Sequence, residues 1–140
     1  MKKTILLLLF ALGCLATAEA QVRFRDVSAD ALRRKAAAAD KLVFIDLYAT
    51  WCGPCKKMER EVFSRPDIAA LMERYAVAGK FDIDKPAGRS LARSYGVRAV
   101  PTCLILDTEG RLRGTISGAL SPAAFEAALL RIVGQPGEER

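Results

Sequence analysis

The sequence predicts a single α/β domain with a mixed central sheet and helices on both faces. The chain has 140 residues, 51% of them hydrophobic and 27% charged, which suits one globular domain and excludes a disordered chain. Short apolar runs that are typical of buried strands alternate with segments that have helical caps and periodicity. The clearest strand candidates are LVFIDLY at 42–48 and TCLILD at 102–107.

Capping and turn residues set the predicted element boundaries. Ser28, Ser64 and Ser121 are suited to N-cap helices. Gly96 is expected to close a helix in the left-handed conformation, and Gly79 to form a bulge. The predicted elements are a strand at 22–27, a helix at 28–39, a strand at 42–48, a helix from near Cys55, a helix from Ser64 to Tyr75, a strand at 77–83, a helix at 87–95, strands at 102–107 and 112–117, and a helix from Pro122 to Gly134. Strands and helices that alternate in this way define an α/β domain.

Residues 1–20 are expected to be a signal peptide, which leaves 21–140 as the folded domain. Lys2 and Lys3 make a positive start, the apolar run at 5–12 follows, and AEA at the end of the segment is a small-x-small cleavage site. The apolar run is shorter than the ~20 residues that a transmembrane helix needs.

A second interpretation of this segment stays open. The sequence ALGC at 11–14 resembles a bacterial lipobox, in which Cys14 is acylated and becomes the first mature residue. In either case the chain leaves the cytoplasm for the periplasm, where its cysteines meet an oxidising environment.

The charge distribution and the absence of histidine exclude several classes of function. The 22 Lys and Arg outnumber the 16 Asp and Glu, for a net charge of +6, but they do not cluster into one stripe. We therefore expect a soluble basic surface and no nucleic-acid binding. The chain contains no His, which excludes Ser-His-Asp and Cys-His catalysis and C-x-x-C-H haem attachment. We expect a monomer without a cofactor.

The motif WCGPCK at 51–56 lies where a buried strand leads into a helix. Its two cysteines can close a small disulfide ring. Cys52 lies just before the helix, whose unpaired N–H groups and dipole stabilise a thiolate, so we expect it to be the nucleophile. Cys55, in the first turn, is placed to resolve the mixed disulfide.

Two non-redox interpretations of this motif are weak. A structural bridge across two residues would close almost no chain and contribute little stability. Zinc usually needs four ligands, whereas the predicted domain offers at most Cys52, Cys55 and Cys103 and no His. The motif therefore predicts a redox-active Cys52–Cys55 disulfide and no metal site.

From about residue 42 to residue 132 the sequence resembles the thioredoxin family. The resemblance rests on WCGPC, on the VPT sequence at 100–102 and on Asp46 and Lys80. It implies the thioredoxin fold, a mixed sheet of five strands with flanking helices. The stretches at 47–49 and 58–66 are also similar to the C-terminal domain of bacterial membrane thiol–disulfide interchange proteins. We expect this chain to differ from that group as a separate secreted domain without the membrane part.

The resemblance assigns roles to residues behind the cysteines. Asp46 lies six residues before Cys52 in an apolar run, so its carboxyl should be buried and its pKa raised. The family places it behind Cys55 as a proton acceptor, and Lys80 matches the lysine that approaches and tunes it. The alternatives are a polar residue at a strand edge for Asp46 and a solvated residue for Lys80. Cys103 is expected to be a small buried hydrophobe.

The resemblance also implies a substrate-binding surface. Pro101 matches the cis-proline of the family, whose alternative is a plain strand-opening proline. The backbone of Val100 would pair with an extended substrate like an added strand. Trp51 could belong to the core or to the rim of the site; the resemblance places it at the rim, next to Gly53 and Pro54.

The residues between the cysteines predict the direction of the reaction. Gly53 and Pro54 offer no side chain that stabilises the thiolate, and a less stabilised thiolate is a better reductant. We therefore expect a periplasmic reductase of protein disulfides that a membrane thiol transporter recharges. The alternatives are a specialised cytochrome c maturation or oxidative-folding factor, and a lipid-anchored binding module with vestigial redox activity.

Overall fold

The computed structural model describes residues 20–134 of the chain. The predicted signal peptide, apart from Ala20, and the alternative lipobox cysteine Cys14 lie outside the described residues. Within residues 20–134, no helix has the length and apolar character needed to cross a membrane.

The described residues form five strands, five α-helices and one π-helical turn. In chain order these are β1 (Phe24–Arg25), α1 (Ala29–Ala39), β2 (Leu42–Tyr48), α2 (Gly53–Met58), the π turn (Glu59–Phe63), α3 (Pro66–Tyr75), β3 (Ala76–Asp82), α4 (Pro86–Ser94), β4 (Thr102–Leu106), β5 (Leu112–Ser117) and α5 (Pro122–Val133). The predicted strands at 42–48 and 112–117 match β2 and β5 residue for residue. The first strand is shorter than predicted, and α2 begins at Gly53 rather than near Cys55.

The five strands form one mixed sheet in the order β1-β3-β2-β4-β5. Strands β1, β3 and β2 are parallel, whereas β4 runs antiparallel to β2, and β5 antiparallel to β4. The register places Asp46 of β2 opposite Lys80 of β3 on one side and opposite Cys103 of β4 on the other. The predicted fold class, a mixed sheet of about five strands, is confirmed.

Each face of the sheet has its own core, because successive side chains of a strand point to opposite faces. On one face, Phe44 packs with Phe63 and Phe125 in edge-to-face pairs beneath α2, the π turn, α3 and α5. On the other face, Ile45 and Leu47 pack against α1 and α4. Helices therefore cover both faces, as predicted, and Asp46 belongs to the face that α2 covers.

The cap predictions are right for two helices and wrong for one. The hydroxyls of Ser28 and Ser121 each accept a backbone N–H at 3.2 Å at the start of α1 and α5. Helix α3 begins after Arg65, however, and Ser64 does not cap it. The π turn extends the preceding helix, so Ser64 has helical backbone angles and donates its hydroxyl proton to the Arg60 carbonyl at 2.5 Å.

The predicted bulge at Gly79 is also wrong. Gly79 pairs in regular register with β2, and the irregularity of the sheet lies instead between Ile105 and Leu106. A Cβ at Gly79 would lie 2.7 Å from the Leu32 side chain and 3.0 Å from that of Phe81. The glycine therefore permits close packing of α1 on β3. The prediction for Gly96 is confirmed, because its φ is +66°.

Candidate active site

Cys52 and Cys55 form a disulfide where β2 gives way to α2, with their Cα atoms 5.3 Å apart. Cys52 is the N-cap residue of α2, and its Sγ accepts the Cys55 backbone N–H at 3.1 Å. A sulfur thus occupies the position in which Ser or Asp oxygens commonly cap a helix. Both cysteines are buried, and the molecule is described in its oxidised state.

The turn between β2 and α2 presents the motif. The Cys52 N–H donates to the Ala49 carbonyl at 3.2 Å, which closes the turn after β2. Pro54 lies in the first turn of α2, where a missing N–H leaves no helical hydrogen bond unmade. Gly53 is exposed, and a Cβ built on it would meet open space. Nothing bulkier than these two residues stands between the cysteines.

Trp51 forms an exposed rim beside the disulfide. Its side chain is 68% exposed, yet its Nε1 donates to the Asp84 carboxylate at 2.9 Å. Asp84 is fixed in turn, since its N–H donates to Asp82 and its carbonyl accepts a hydrogen bond from Arg89. The indole is therefore held in place although it faces solvent. Sequence reasoning missed Asp84, because the contact depends on how β3 ends beside the motif.

The loop before β4 lies against the disulfide. The Val100–Pro101 peptide bond is cis, and Val100 packs on the cluster that Ala49, Cys52 and Cys55 form. Two hydrogen bonds fasten the loop: the Thr102 hydroxyl donates to the Ala99 carbonyl at 2.8 Å, and Gly118 N–H donates to the Pro101 carbonyl at 2.9 Å. The loop and the motif thus form one continuous surface.

Asp46 is buried in the middle of β2, on the sheet face that α2 covers, with 3% of its area exposed. Desolvation raises the pKa of its carboxyl to about 6, from an ordinary value of 3.8. The nearby charge of Lys80 and the hydrogen bond from Cys103 oppose this rise, whereas the charge of Glu59 adds to it. The direction matches the sequence-based expectation.

Lys80 is half-buried rather than solvated. Its Nζ lies 2.9 Å from a Glu59 carboxylate oxygen and 4.5 Å from the centre of the Tyr48 ring. Glu59 follows Cys55 by four residues and opens the π turn, so it is on the helix that covers this face of the sheet. Sequence reasoning missed Glu59, because its contact with Lys80 depends on how the π turn packs on β3.

Cys103 is buried, as predicted, but it is not merely a hydrophobe. Its Sγ donates to the Asp46 carboxylate across a distance of 3.9 Å. Burial raises the pKa of the Cys103 thiol well above its usual range, and the adjacent Asp46 carboxylate adds to the rise. The site therefore has two layers: an outer surface of Trp51, the disulfide and the cis-proline loop, and a buried group around Asp46.

A disulfide at the start of a helix and against a cis-proline loop, in a fold whose central strand has a buried carboxyl, defines a thiol–disulfide oxidoreductase of the thioredoxin fold. The family model for the thioredoxin-like domain matches residues 29–132. The chain belongs to this family and acts as a protein-disulfide oxidoreductase.

The chain is similar both to thioredoxins and to a thiol–disulfide interchange protein, the two resemblances that the sequence suggested. Thioredoxin-1 of Drosophila melanogaster is 45% identical over 80 residues, which cover 57% of this chain and 70% of that one. The thiol:disulfide interchange protein DsbD 2 of Pseudomonas aeruginosa is 36% identical over 123 residues, which cover 82% of this chain but 21% of that longer one. The solution structure of a thioredoxin from Thermus thermophilus matches with a TM-score of 0.74 and 25% identity, and covers 84% of this chain and 91% of that one.

The raised pKa of Asp46 predicts how stability depends on pH. Between about pH 4 and pH 6 the folded protein holds a proton that the unfolded chain has released, so the free energy of unfolding falls as the pH rises. A shift of about 2 pKa units corresponds to ~3 kcal/mol. Asp46→Asn cannot ionise. We expect the difference in free energy of unfolding between this variant and the wild type to become more favourable to the variant by up to that amount from pH 4 to pH 7.5.

Urea unfolding of the oxidised protein at a series of pH values measures this gain. Asp26→Asn, at an exposed position, is the matched control and should follow the wild type at every pH. Parallel stability curves for Asp46→Asn and the wild type would show that the carboxyl is not desolvated enough to matter.

Proposed function

We propose that this protein is an extracytoplasmic reductase of protein disulfides. The observation that supports the direction most is the Gly53–Pro54 pair between the cysteines. Neither side chain has a donor, and the hydrogen bond that Cys52 Sγ accepts comes from the backbone N–H of Cys55. A thiolate with little stabilisation makes its dithiol a strong reductant.

The reaction begins with the reduced protein. The Cys52 thiolate attacks one sulfur of a client disulfide, a bond forms from Cys52 to that sulfur, and the second client sulfur leaves as a thiolate. The N-cap position of Cys52 favours this assignment, because the Cys55 N–H points at its sulfur and stabilises negative charge there.

Cys55 completes the reaction. Its thiol loses a proton and attacks Cys52 Sγ, which forms the Cys52–Cys55 disulfide and releases the client sulfur that was bonded to Cys52 as a thiolate. The client gains two electrons and the protein loses two, which produces the oxidised state described here. Asp46 accepts the Cys55 proton, since it lies on the sheet face that α2 covers and its pKa is near neutrality. Lys80 tunes Asp46 by favouring its ionised form.

The client binds along the outer surface. The backbone of Val100 pairs with an extended client segment, as an added strand would. Pro101 offers no N–H there, and the fixed indole of Trp51, with Gly53 and Pro54, forms the opposite rim. The packing of Val100 on the cluster of Ala49, Cys52 and Cys55 supports this placement, because a client that pairs with Val100 comes close to the cysteines.

A dithiol that reduces clients must be reduced again. The sequence has no nicotinamide or flavin motif, so the electrons must come from another dithiol. Similarity to a thiol:disulfide interchange protein over 82% of this chain supports a membrane thiol transporter as the donor.

The periplasmic location follows from the predicted signal peptide. We expect the mature protein, recovered from the periplasmic fraction of a bacterial host, to begin at Gln21 on N-terminal sequencing. Incorporation of labelled palmitate, lost in Cys14→Ser, would instead establish the lipid-anchored form. Full-length protein in the cytoplasm would contradict both.

We predict a reduction potential nearer the ~−270 mV of thioredoxin than the ~−120 mV of a strong periplasmic oxidant. Equilibration with glutathione buffers measures it, and reduction of insulin by the dithiol form tests the activity directly. Cys52→Ser is the inactive control. A potential above about −180 mV, the value of an isomerase, would contradict the reductase assignment.

We also predict that Asp46→Asn slows resolution by roughly 10²-fold near neutral pH while the first attack by Cys52 changes little. Asn fills the same space but cannot accept the Cys55 proton. Stopped-flow fluorescence of Trp51, the single tryptophan, follows both steps. Asp26→Asn removes an exposed carboxyl and serves as control. Equal resolution rates in Asp46→Asn and the wild type would limit Asp46 to a structural role.

A further inference from the structure

Cys103 is the one cysteine of the described residues outside the redox pair, and it lies at a specific place. It stands directly opposite Asp46 on the neighbouring antiparallel strand. Both residues are buried, at 1% and 3% exposure, and the Cys103 Sγ lies 3.9 Å from an Asp46 carboxylate oxygen. A buried carboxylate needs donors, because water does not reach it. Cys103 supplies one from β4.

We propose that Cys103 is a positioning residue, whose S–H fixes the orientation of the Asp46 carboxyl and favours the ionised form that accepts the Cys55 proton. The proposal rests on the proposed role of Asp46. Cys103 itself does not touch the client or the reacting sulfurs in this mechanism. It acts through the carboxyl alone.

Several groups act on Asp46, and they differ in direction. Lys80, from β3, favours the ionised carboxylate, and Glu59, from the π turn, disfavours it. Cys55, in the first turn of α2, becomes a further titrating group when the disulfide is reduced. A hydrogen bond to the charged form of an acid lowers its pKa, so the Cys103 contact assists Lys80 against desolvation.

Cysteine suits this position better than its common alternatives. Its side chain belongs to the same apolar core as Phe44 and Ile105, where a strongly polar group would be poorly solvated. Valine would pack there but has no donor. A free cysteine behaves as a small hydrophobe with a weak donor, which meets both requirements.

The contact also keeps Cys103 out of the exchange chemistry. The thiolate is the attacking species, and burial together with the Asp46 charge raises the pKa of this thiol well above its usual range. Cys103 therefore remains a protonated donor beside a redox pair without competing with Cys52 or Cys55.

Three variants separate the hydrogen bond from packing. Cys103→Val removes the donor at similar volume, whereas Cys103→Ser keeps a donor. Ile105→Val is the matched control, since it trims a buried residue on the same face of β4, opposite Phe44 rather than Asp46. If Cys103→Val does not fold, Cys103→Ala, which also lacks the donor, replaces it.

The primary measurement is the titration of the Asp46 carboxyl by carbon-13 NMR in the full-length oxidised protein. Loss of a hydrogen bond of ordinary net strength should raise its midpoint by about 0.5–1 pH unit in Cys103→Val. In Cys103→Ser and Ile105→Val the midpoint should stay at or below that of the wild type. The pH profile of the resolution step should move upward with the NMR midpoint, while the rate of the first attack stays unchanged.

The outcomes distinguish the two proposals. An unchanged Asp46 midpoint in Cys103→Val, or an equal rise in Ile105→Val, would overturn the role of Cys103. If the midpoint rises as expected but the resolution profile does not follow, Asp46 is not the proton acceptor, and the positioning role fails with it. A protein that resolves through Asp46 but does not reduce insulin would contradict the reductase function and leave the role of Cys103 supported.

Discussion

Strand β2 has hydrogen-bonded neighbours on both sides, and that pairing places every group of the active site. Its parallel partner β3 and its antiparallel partner β4 bring Lys80 and Cys103 to the two sides of Asp46. Its carboxyl end leads directly into α2, so Cys52 becomes a helix cap. The cis-proline loop that packs on the disulfide directly precedes β4, with Pro101 two residues before Cys103. One strand thus connects the outer redox layer to the buried acid.

The ionised Asp46 carboxylate destabilises the folded state at this central position. Desolvation raises its pKa to about 6, so at neutral pH the fold must hold a charge that it solvates poorly. Two neighbours compensate in part: Lys80 offers positive charge from β3, and Cys103 offers a donor from β4. The Glu59 carboxylate, 2.9 Å from the Lys80 Nζ, acts in the opposite direction. A fold that retains an unfavourable charge at its centre points to chemistry as the reason for it, because structural polarity alone would favour a neutral residue.

How much the sequence predicts depends on the range of the interactions involved. The strand at 42–48, the caps Ser28 and Ser121, and the left-handed Gly96 follow from local patterns and agree with the structure. The prediction that Ser64 caps a helix is wrong because no local sequence pattern indicates that the π turn continues the preceding helix through Phe63. Here a good cap residue is overridden by the element before it.

Long-range packing explains the remaining differences. A glycine within a strand suggests a bulge, but Gly79 instead leaves room for the side chain of Leu32, which belongs to α1. The same holds inside the site. The motif identifies Cys52 and Cys55, and the apolar run around Asp46 predicts its burial. The contacts of Glu59, Asp84 and Cys103 depend on register and on where β3 ends, which local patterns do not specify.

The proposed proton exchange also constrains how any pH profile of this protein is interpreted. When the disulfide opens, the Cys55 thiol becomes a second titrating group that exchanges its proton with Asp46. A thiolate near a carboxylate raises the pKa of both groups, since like charges disfavour one another. The two protons then leave in steps that belong to the pair rather than to either residue. The value of about 6 for Asp46 therefore describes the oxidised protein, in which Cys55 is bonded to Cys52 and cannot ionise. Because Asp46 ionises at a lower pH than an ordinary thiol, its negative charge raises the pKa of the Cys55 thiol, and transfer of the Cys55 proton to Asp46 removes that repulsion as the thiolate forms.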